Sequence, residues 1–273
     1  MMRRWRGFTL IELVVVIMIT GIMGASIAVF FVPAINAYFD TRRRAEMTDT
    51  ADTALRRMTR DVRRAVPNSI RMVGDKCFEL VPTKAGGLYR RAADIDSAGE
   101  DPLDTSQPDN GFDVLSPMAG VVGGDFVVIG NQNGNDVYTG ATRGTIRFWT
   151  TPHPAGAAIG TGQVTLTAAT QFPAGYDGGR FQVVAASEAS VFYVCDLAAG
   201  TLTRLVGAFN AAAPVACPPG GVLLASNVTA CEFVYDPNNG ATQQSGFVWM
   251  RIELSSGGET MALSSGAHVS NVP

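Results

Sequence analysis

Residues 7–32 read Gly7-Phe8-Thr-Leu-Ile-Glu12-Leu-Val-Val-Val-Ile-Met-Ile-Thr-Gly21-Ile-Met-Gly24-Ala-Ser-Ile-Ala-Val-Phe-Phe-Val32, and the remainder of the chain must be arranged around this run. As a helix rising 1.5 Å per residue, its 25 positions after Gly7 would span roughly 37 Å, against a hydrocarbon core of about 30 Å. The segment is long enough to cross a bilayer. Arg3, Arg4 and Arg6 precede it, so the positive-inside rule puts the N-terminus in the cytoplasm and everything after Val32 outside. An ordinary secretory signal has a shorter apolar region followed by a small-residue cleavage site. Here the basic leader ends in Gly7 before the apolar run begins, so a cut at that point would leave the whole hydrophobic helix on the mature chain.

Glu12 is the anomaly within the run. A lone carboxylate in a membrane helix costs about 2.5 to 3.5 kcal/mol on insertion scales, so it is expected to have a partner. The apolar run contains no cation. Cleavage after Gly7 would create one, because the new α-amino group of Phe8 lies four residues from Glu12 and can pair with the Glu12 of a neighbouring copy. The plainer alternative is an acid near the helix end that reaches into the headgroups. Gly21 and Gly24 weaken the helix, and Pro33 removes one of its hydrogen bonds, so a kink or local melting is expected there.

Beyond Pro33 the helical pattern continues. Ala51, Ala54, Leu55, Met58, Val62 and Ala65 form one apolar stripe, with Arg56, Arg57, Arg60, Arg63 and Arg64 on the other side. Those arginines read either as a solvated face or as a contact for phospholipid heads, an acidic neighbouring subunit or DNA. Pro67 is expected to end the helix, because the residue before a proline avoids helical geometry. The texture then changes to short β-branched and aromatic runs separated by Gly, Pro, Asn and Asp. Strands are predicted at Cys77–Pro82, Asp125–Ile129, Thr145–Trp149, Gln163–Thr167, Arg180–Val184, Ser190–Cys195, Thr201–Val206, Cys231–Tyr235, Phe247–Leu254 and Thr260–Ser264. The Asp236-Pro-Asn-Asn-Gly240 turn before Phe247 marks a hairpin. One long helix followed by many strands predicts an α+β fold, in which a mostly antiparallel sheet packs on the helix stripe.

The 273 residues are 47% hydrophobic and only 16% charged, which excludes collagen-like and disordered classes. After Arg71 the chain carries 9 cations and 18 acids, an acidic region behind a basic neck. That balance argues against a broad nucleic-acid-binding face, which needs clustered Lys and Arg. There is no G-x-x-x-x-G-K-[ST] loop and no G-x-S-x-G elbow. The two histidines, His153 between prolines and His268 near the C-terminus, are expected to be structural or exposed, so no catalytic residue, metal or cofactor is assigned. Asp94 and Asp96 with Gly99 imitate the start of a calcium loop, but Ala98 and Thr105 stand where further ligands belong. A solvated acidic loop is the default, with a hard-cation site through Asp94, Asp96, Glu100 or Asp101 as the alternative.

Cys77, Cys195, Cys217 and Cys231 are disulfide candidates in an exported region. Four cysteines allow three pairings. Cys195 with Cys217 is favoured, because it closes a proline-containing loop, and Cys77 is then left with Cys231.

The segment Gly7-Phe8-Thr9-Leu10-Ile11-Glu12 resembles the class III leader of type IV prepilins and type II secretion pseudopilins. The resemblance implies cleavage after Gly7 by a membrane prepilin peptidase, N-methylation of Phe8, and a role for Glu12 in aligning incoming subunits. A proline common in that family falls at Val29 here, and the chain has Pro33 instead. Downstream, Cys77–Arg90, Phe112–Leu115, Gly124–Ile129, Cys217-Pro218, Leu223–Ala225 and His268–Pro273 resemble minor pilins of the mannose-sensitive haemagglutinin (MSHA) pilus, MshO type. This second resemblance implies a non-catalytic pilus subunit. Its partners would be the peptidase, other pilins, the assembly platform and the inner membrane, with later residence at the cell surface. The expected division is leader 1–7, transmembrane half-helix 8–32, amphipathic continuation 33–66 and an external β-rich domain 67–273. A minor pseudopilin and a membrane-anchored binding protein are the alternatives.

Overall fold

Helix α1 runs from Leu10 to Arg63 and is continuous through Gly21, Gly24 and Pro33. The computed structural model describes residues 7–94, 99–174, 178–237 and 245–272; the leader arginines, Asp96 and Ala98 of the acidic loop, and most of the Asp236–Gly240 turn lie outside them. Within the apolar half, Thr20 and Ser26 donate their hydroxyl protons to the carbonyls of Val16 and Ile22, at 2.7 and 2.9 Å, which removes the cost of bare hydroxyls in an apolar setting. The helix ends a turn before Pro67. Val66 leaves it to donate its N–H to the Val81 carbonyl at 2.8 Å, since a residue before proline is pushed towards extended geometry.

The strands in chain order are β1 (Arg71–Val73), β2 (Cys77–Leu80), β3 (Ala85–Leu88), β4 (Asp109–Val114), β5 (Phe126–Val128), β6 (Arg143–Thr150) and β7 (Gly162–Thr170). They continue with β8 (Arg180–Val184), β9 (Ser190–Asp196), β10 (Thr201–Gly207), β11 (Val222–Ser226), β12 (Val228–Asp236), β13 (Ser245–Ser256) and β14 (Glu259–Ser270). They form three sheets, ordered β1-β2-β9-β10-β11, β12-β13-β14 and β3-β8-β5-β6-β7-β4, and every pairing is antiparallel. The fold class is α+β, as the sequence predicts, and all ten predicted strands are present, Arg180–Val184 with the predicted ends and the other nine with shifted ones. The predicted hairpin pairs β12 with β13, placing Asp236 opposite Phe247.

Four strands, β1, β3, β4 and β11, escape sequence reading. Two of them are built on glycine for a spatial reason. A Cβ on Gly111 in β4 would meet the Val164 carbonyl oxygen at 2.4 Å, and one on Gly86 in β3 would meet that of Phe181 at 2.9 Å. Close backbone approach selects the residue that looks least like a strand former.

The stripe of α1 forms one core with the first two sheets. Ala51, Ala54, Leu55, Met58, Val62 and Ala65 all join it, packed against Phe78 and Tyr193 of one sheet and Phe233, Met250 and Ile252 of the other. The six-stranded sheet holds a separate core around Phe112, Phe181 and Ile146, and a small cluster including Val66, Val81 and Tyr138 joins the two.

The disulfides are Cys77–Cys217 and Cys195–Cys231, which corrects the expected pairing. Strand alternation explains it. Cys77 stands opposite Val194, so Cys195 points to the other face of the five-stranded sheet. That face is the core, where Cys195 meets Cys231 from the second sheet, while Cys77 meets the loop cysteine on the outer face.

Candidate functional site

The N-terminal motif is placed at the very start of α1. Thr9 is its N-cap, with Glu12 at the third helical position, and the two form a capping box. The Glu12 N–H is 3.3 Å from the Thr9 hydroxyl, and the Glu12 carboxylate lies 3.4 Å from both the Thr9 N–H and the Thr9 hydroxyl. The carboxylate therefore points back along the chain towards Phe8, at the positive end of the helix dipole. Sequence reading missed this local partner, although Thr9 three residues before Glu12 is its signature. Phe8 and Gly7 are exposed beside it.

Residues 7–39 are exposed without a break, including Phe30 at 74% and Leu10 at 82%. This is the one described helix long and apolar enough to span a membrane. Exposed apolar surface of that extent requires a bilayer or the helices of neighbouring molecules.

The basic neck divides into two parts. Arg42 pairs with Glu46 at 2.8 Å, Arg44 with Glu259 at 2.7 Å, Arg56 with Asp52 at 2.6 Å, and Arg43 with Asp40. Arg60, Arg63 and Arg64 have no ion pair among the described residues. At about 1.5 Å per residue, Arg60 stands about 42 Å beyond Val32, out of reach of headgroups surrounding the apolar run.

The end of α1 is fixed by a buried polar group. Asp61 accepts from the Tyr193 hydroxyl at 2.7 Å and from Arg204 Nε at 3.0 Å, and the same guanidinium reaches Glu188 at 3.0 Å. Burial and the neighbouring Asp61 carboxylate raise the Tyr193 pKa, so this phenol stays a donor. Nearby, Arg71 bonds buried Glu79 at 2.6 Å and lies over the Tyr138 ring at 3.4 Å. Burial raises the Glu79 pKa despite opposing bonds from Ser190 and Arg71.

His153 is buried, with Nε2 2.7 Å from Asp113 Oδ1 and Nδ1 accepting the Ala155 N–H at 3.1 Å. No serine or cysteine completes a nucleophilic triad among its described bonding partners. His268 is exposed beside Phe247, with ring centroids 5.0 Å apart. In the acidic loop, Asp101 is held by Gln163 at 3.0 Å and Glu100 by Arg90 at 3.0 Å. Among the described residues, no group of three or more His, Cys, Asp or Glu is arranged to hold a metal ion.

Residues 2–28 match the family described as the prokaryotic N-terminal methylation motif. No curated protein and no solved structure matches the chain. The match covers the leader and the first part of α1, and it supports a type IV pilin-like or pseudopilin precursor that is processed by prepilin peptidase and anchored through its apolar helix.

Proposed function

We propose that the chain is a minor type IV pilin, a non-catalytic structural subunit of an MSHA-type pilus, cut after Gly7 and N-methylated at Phe8. The observation that carries this reading is the placement of an exposed helical stretch from Leu10 to Phe39 behind an exposed Gly7–Phe8 bond, with the Glu12 carboxylate turned back to the Thr9 N–H, one residue from the position of the new amine. A cut there releases a cation where an acid already waits. In the assembled state helices from Phe8 onwards bundle in the core, and Glu12 of one subunit neutralises the Phe8 ammonium of the next. The resemblance of the segments after Cys77 to minor MSHA pilins supports the narrower assignment. In this reading the division is 1–7, 8–32, 33–66 and 67–273, with the last part periplasmic and then on the cell surface.

A minor pseudopilin of type II secretion shares the leader, and gene neighbourhood separates the two. The decisive test is mass spectrometry of the N-terminal peptide from cells with and without active prepilin peptidase. The expected mature chain begins with N-methylated Phe8. Chains still carrying residues 1–7 in the presence of active peptidase would instead support a membrane-anchored binding protein.

A further inference from the structure

Two adjoining clefts flank the end of α1. One, of about 450 Å³, is lined by Arg56, Thr59, Arg60, Arg63, Arg64 and Ser265. The other, of about 430 Å³, shares Arg63 and Arg64 and adds Lys84, Arg180 and Gln182. They form one groove, because two arginines belong to both linings, and neither lining contains a carboxylate or an aromatic ring. The charge of this groove is not balanced from within. Arg56 is paired with Asp52 and Lys84 with Asp125, but Arg60, Arg63, Arg64 and Arg180 have no ion-pair partner among the described residues. Asp61, between Arg60 and Arg63 in sequence, is buried and taken up by Tyr193 and Arg204. A helix C-terminus offers only about half a negative charge. Four guanidinium groups exceed it, so compensation of the helix end does not account for them.

A second observation comes from the wall formed by β8. Arg180 and Gln182 stand two positions apart in this strand and so share one of its faces. The side-chain oxygen of Gln182 is buried and accepts no hydrogen bond. A buried acceptor left unmet costs free energy that an O–H donor would recover. The groove therefore suits a ligand that brings anions for the guanidinium groups and hydroxyl donors for the amide. Planar guanidinium groups bind carboxylates through paired hydrogen bonds.

Polyanions differ in how well they meet both demands. Nucleic acid brings phosphodiesters, which carry no O–H, and bases that stack on aromatic side chains the groove lacks. An acidic peptide brings carboxylates on rotatable stems, whose ordering costs entropy. A uronic acid ring holds a carboxylate and several hydroxyls on one rigid frame. Lipid headgroups are too far below. The chain after Arg71 carries 9 cations and 18 acids, so it repels a polyanion elsewhere and confines the contact to this groove.

Going beyond the pilin reading, we propose that the arginine groove at the end of α1 is a binding site for an acidic polysaccharide of the uronate class. Arg60, Arg63, Arg64 and Arg180 hold its carboxylates, and Gln182 accepts from a ring hydroxyl. The site is independent of the Glu12–Phe8 contact, which lies at the other end of the helix.

The test is titration calorimetry of the full chain in a polyoxyethylene detergent, which has no sugar headgroup, with oligogalacturonate as the probe and empty micelles as the blank. Affinity is expected to fall by about tenfold or more between about 25 mM and about 500 mM NaCl, because exposed charge pairs are screened. Polyglutamate of matched charge, duplex DNA and oligo-dT are each expected to bind more weakly than oligogalacturonate. Arg63→Glu/Arg64→Glu is expected to abolish binding, with near-ultraviolet dichroism checking the fold. Gln182→Leu is expected to lower the affinity for oligogalacturonate by about threefold or more, the order of one hydrogen bond, and to leave that for polyglutamate unchanged. A loss confined to one of two probes cannot come from a misfolded chain. Absence of oligogalacturonate binding, binding that is insensitive to salt or to the double charge reversal, or an unchanged preference in Gln182→Leu would overturn the proposal. Equal or tighter binding of polyglutamate would reassign the groove to an acidic protein, and equal or tighter binding of either DNA probe would reassign it to nucleic acid; both results refute the uronate site.

Discussion

Asp61→Ala removes the carboxylate through which the end of the anchoring helix grips the five-stranded sheet. The side chain accepts from the buried Tyr193 hydroxyl and from the buried guanidinium of Arg204. Leaving the phenol without an acceptor costs about 1–3 kcal/mol. Breaking a buried ion pair costs about 3–5 kcal/mol. Arg204 keeps Glu188, whose side chain is 42% exposed, so the second penalty is only partly incurred. The expected loss is about 3 kcal/mol, with about 1 kcal/mol for Tyr193→Phe, which deletes one neutral donor and leaves the ion pair intact. Asp61→Asn should fall between them. The assay is denaturant unfolding of the full-length chain in detergent followed by tryptophan fluorescence, since Trp249 lies in β13 of the sheet that packs on α1. Helix content alone is a poor reporter, because the apolar half persists in the micelle. A loss for Asp61→Ala no larger than that for Tyr193→Phe would contradict the proposed tie, as would additive effects in the double variant, since groups sharing one network are expected to couple.

Glu12→Ala is expected to leave leader cleavage intact while incorporation into filaments falls, read by immunoblot of sheared fibres; normal incorporation would remove the salt bridge from the assembly mechanism. Non-reducing peptide mapping should recover Cys77 linked to Cys217 and Cys195 linked to Cys231, and a Cys195–Cys217 peptide would be incompatible with the fold. Chain-entropy reasoning assigns about 5 kcal/mol to the bond spanning 140 residues and about 4 kcal/mol to the one spanning 36, so Cys77→Ala/Cys217→Ala should be markedly destabilised in denaturant melts. Burial, then the like charges of Asp109 and Asp113, raise the Asp101 pKa above its ordinary 3.8. The folded chain then binds this proton at a pH where the unfolded chain has released it, so the group's contribution improves as pH falls through the folded pKa and is flat below the ordinary value. Asp101→Asn should exceed wild type in denaturant midpoint near neutrality, with the gap closing on acidification; parallel curves would show that Asp101 does not control this window.

Local chemistry was legible in the residues; relative placement was not. The Gly7–Glu12 motif, the 25-residue apolar run and the stripe from Ala51 to Ala65 depend only on neighbours along one helix, so periodicity and charge reveal them directly. The strands with β-branched runs announced themselves for the same reason. The disulfide pairing did not, because which face Cys77 or Cys195 presents depends on register against β9 and β10, which strand pairing sets only when the sheet forms. Likewise, nothing in the helical spacing marks Asp61. Only the approach of Tyr193 and Arg204, more than a hundred positions away, made it the tie between anchor and sheet. The order of residues was thus enough to establish an exposed apolar anchor behind a processing motif. Folding in three dimensions settled which charges are paired inside the molecule, because compensation of charge is a matter of distance in space.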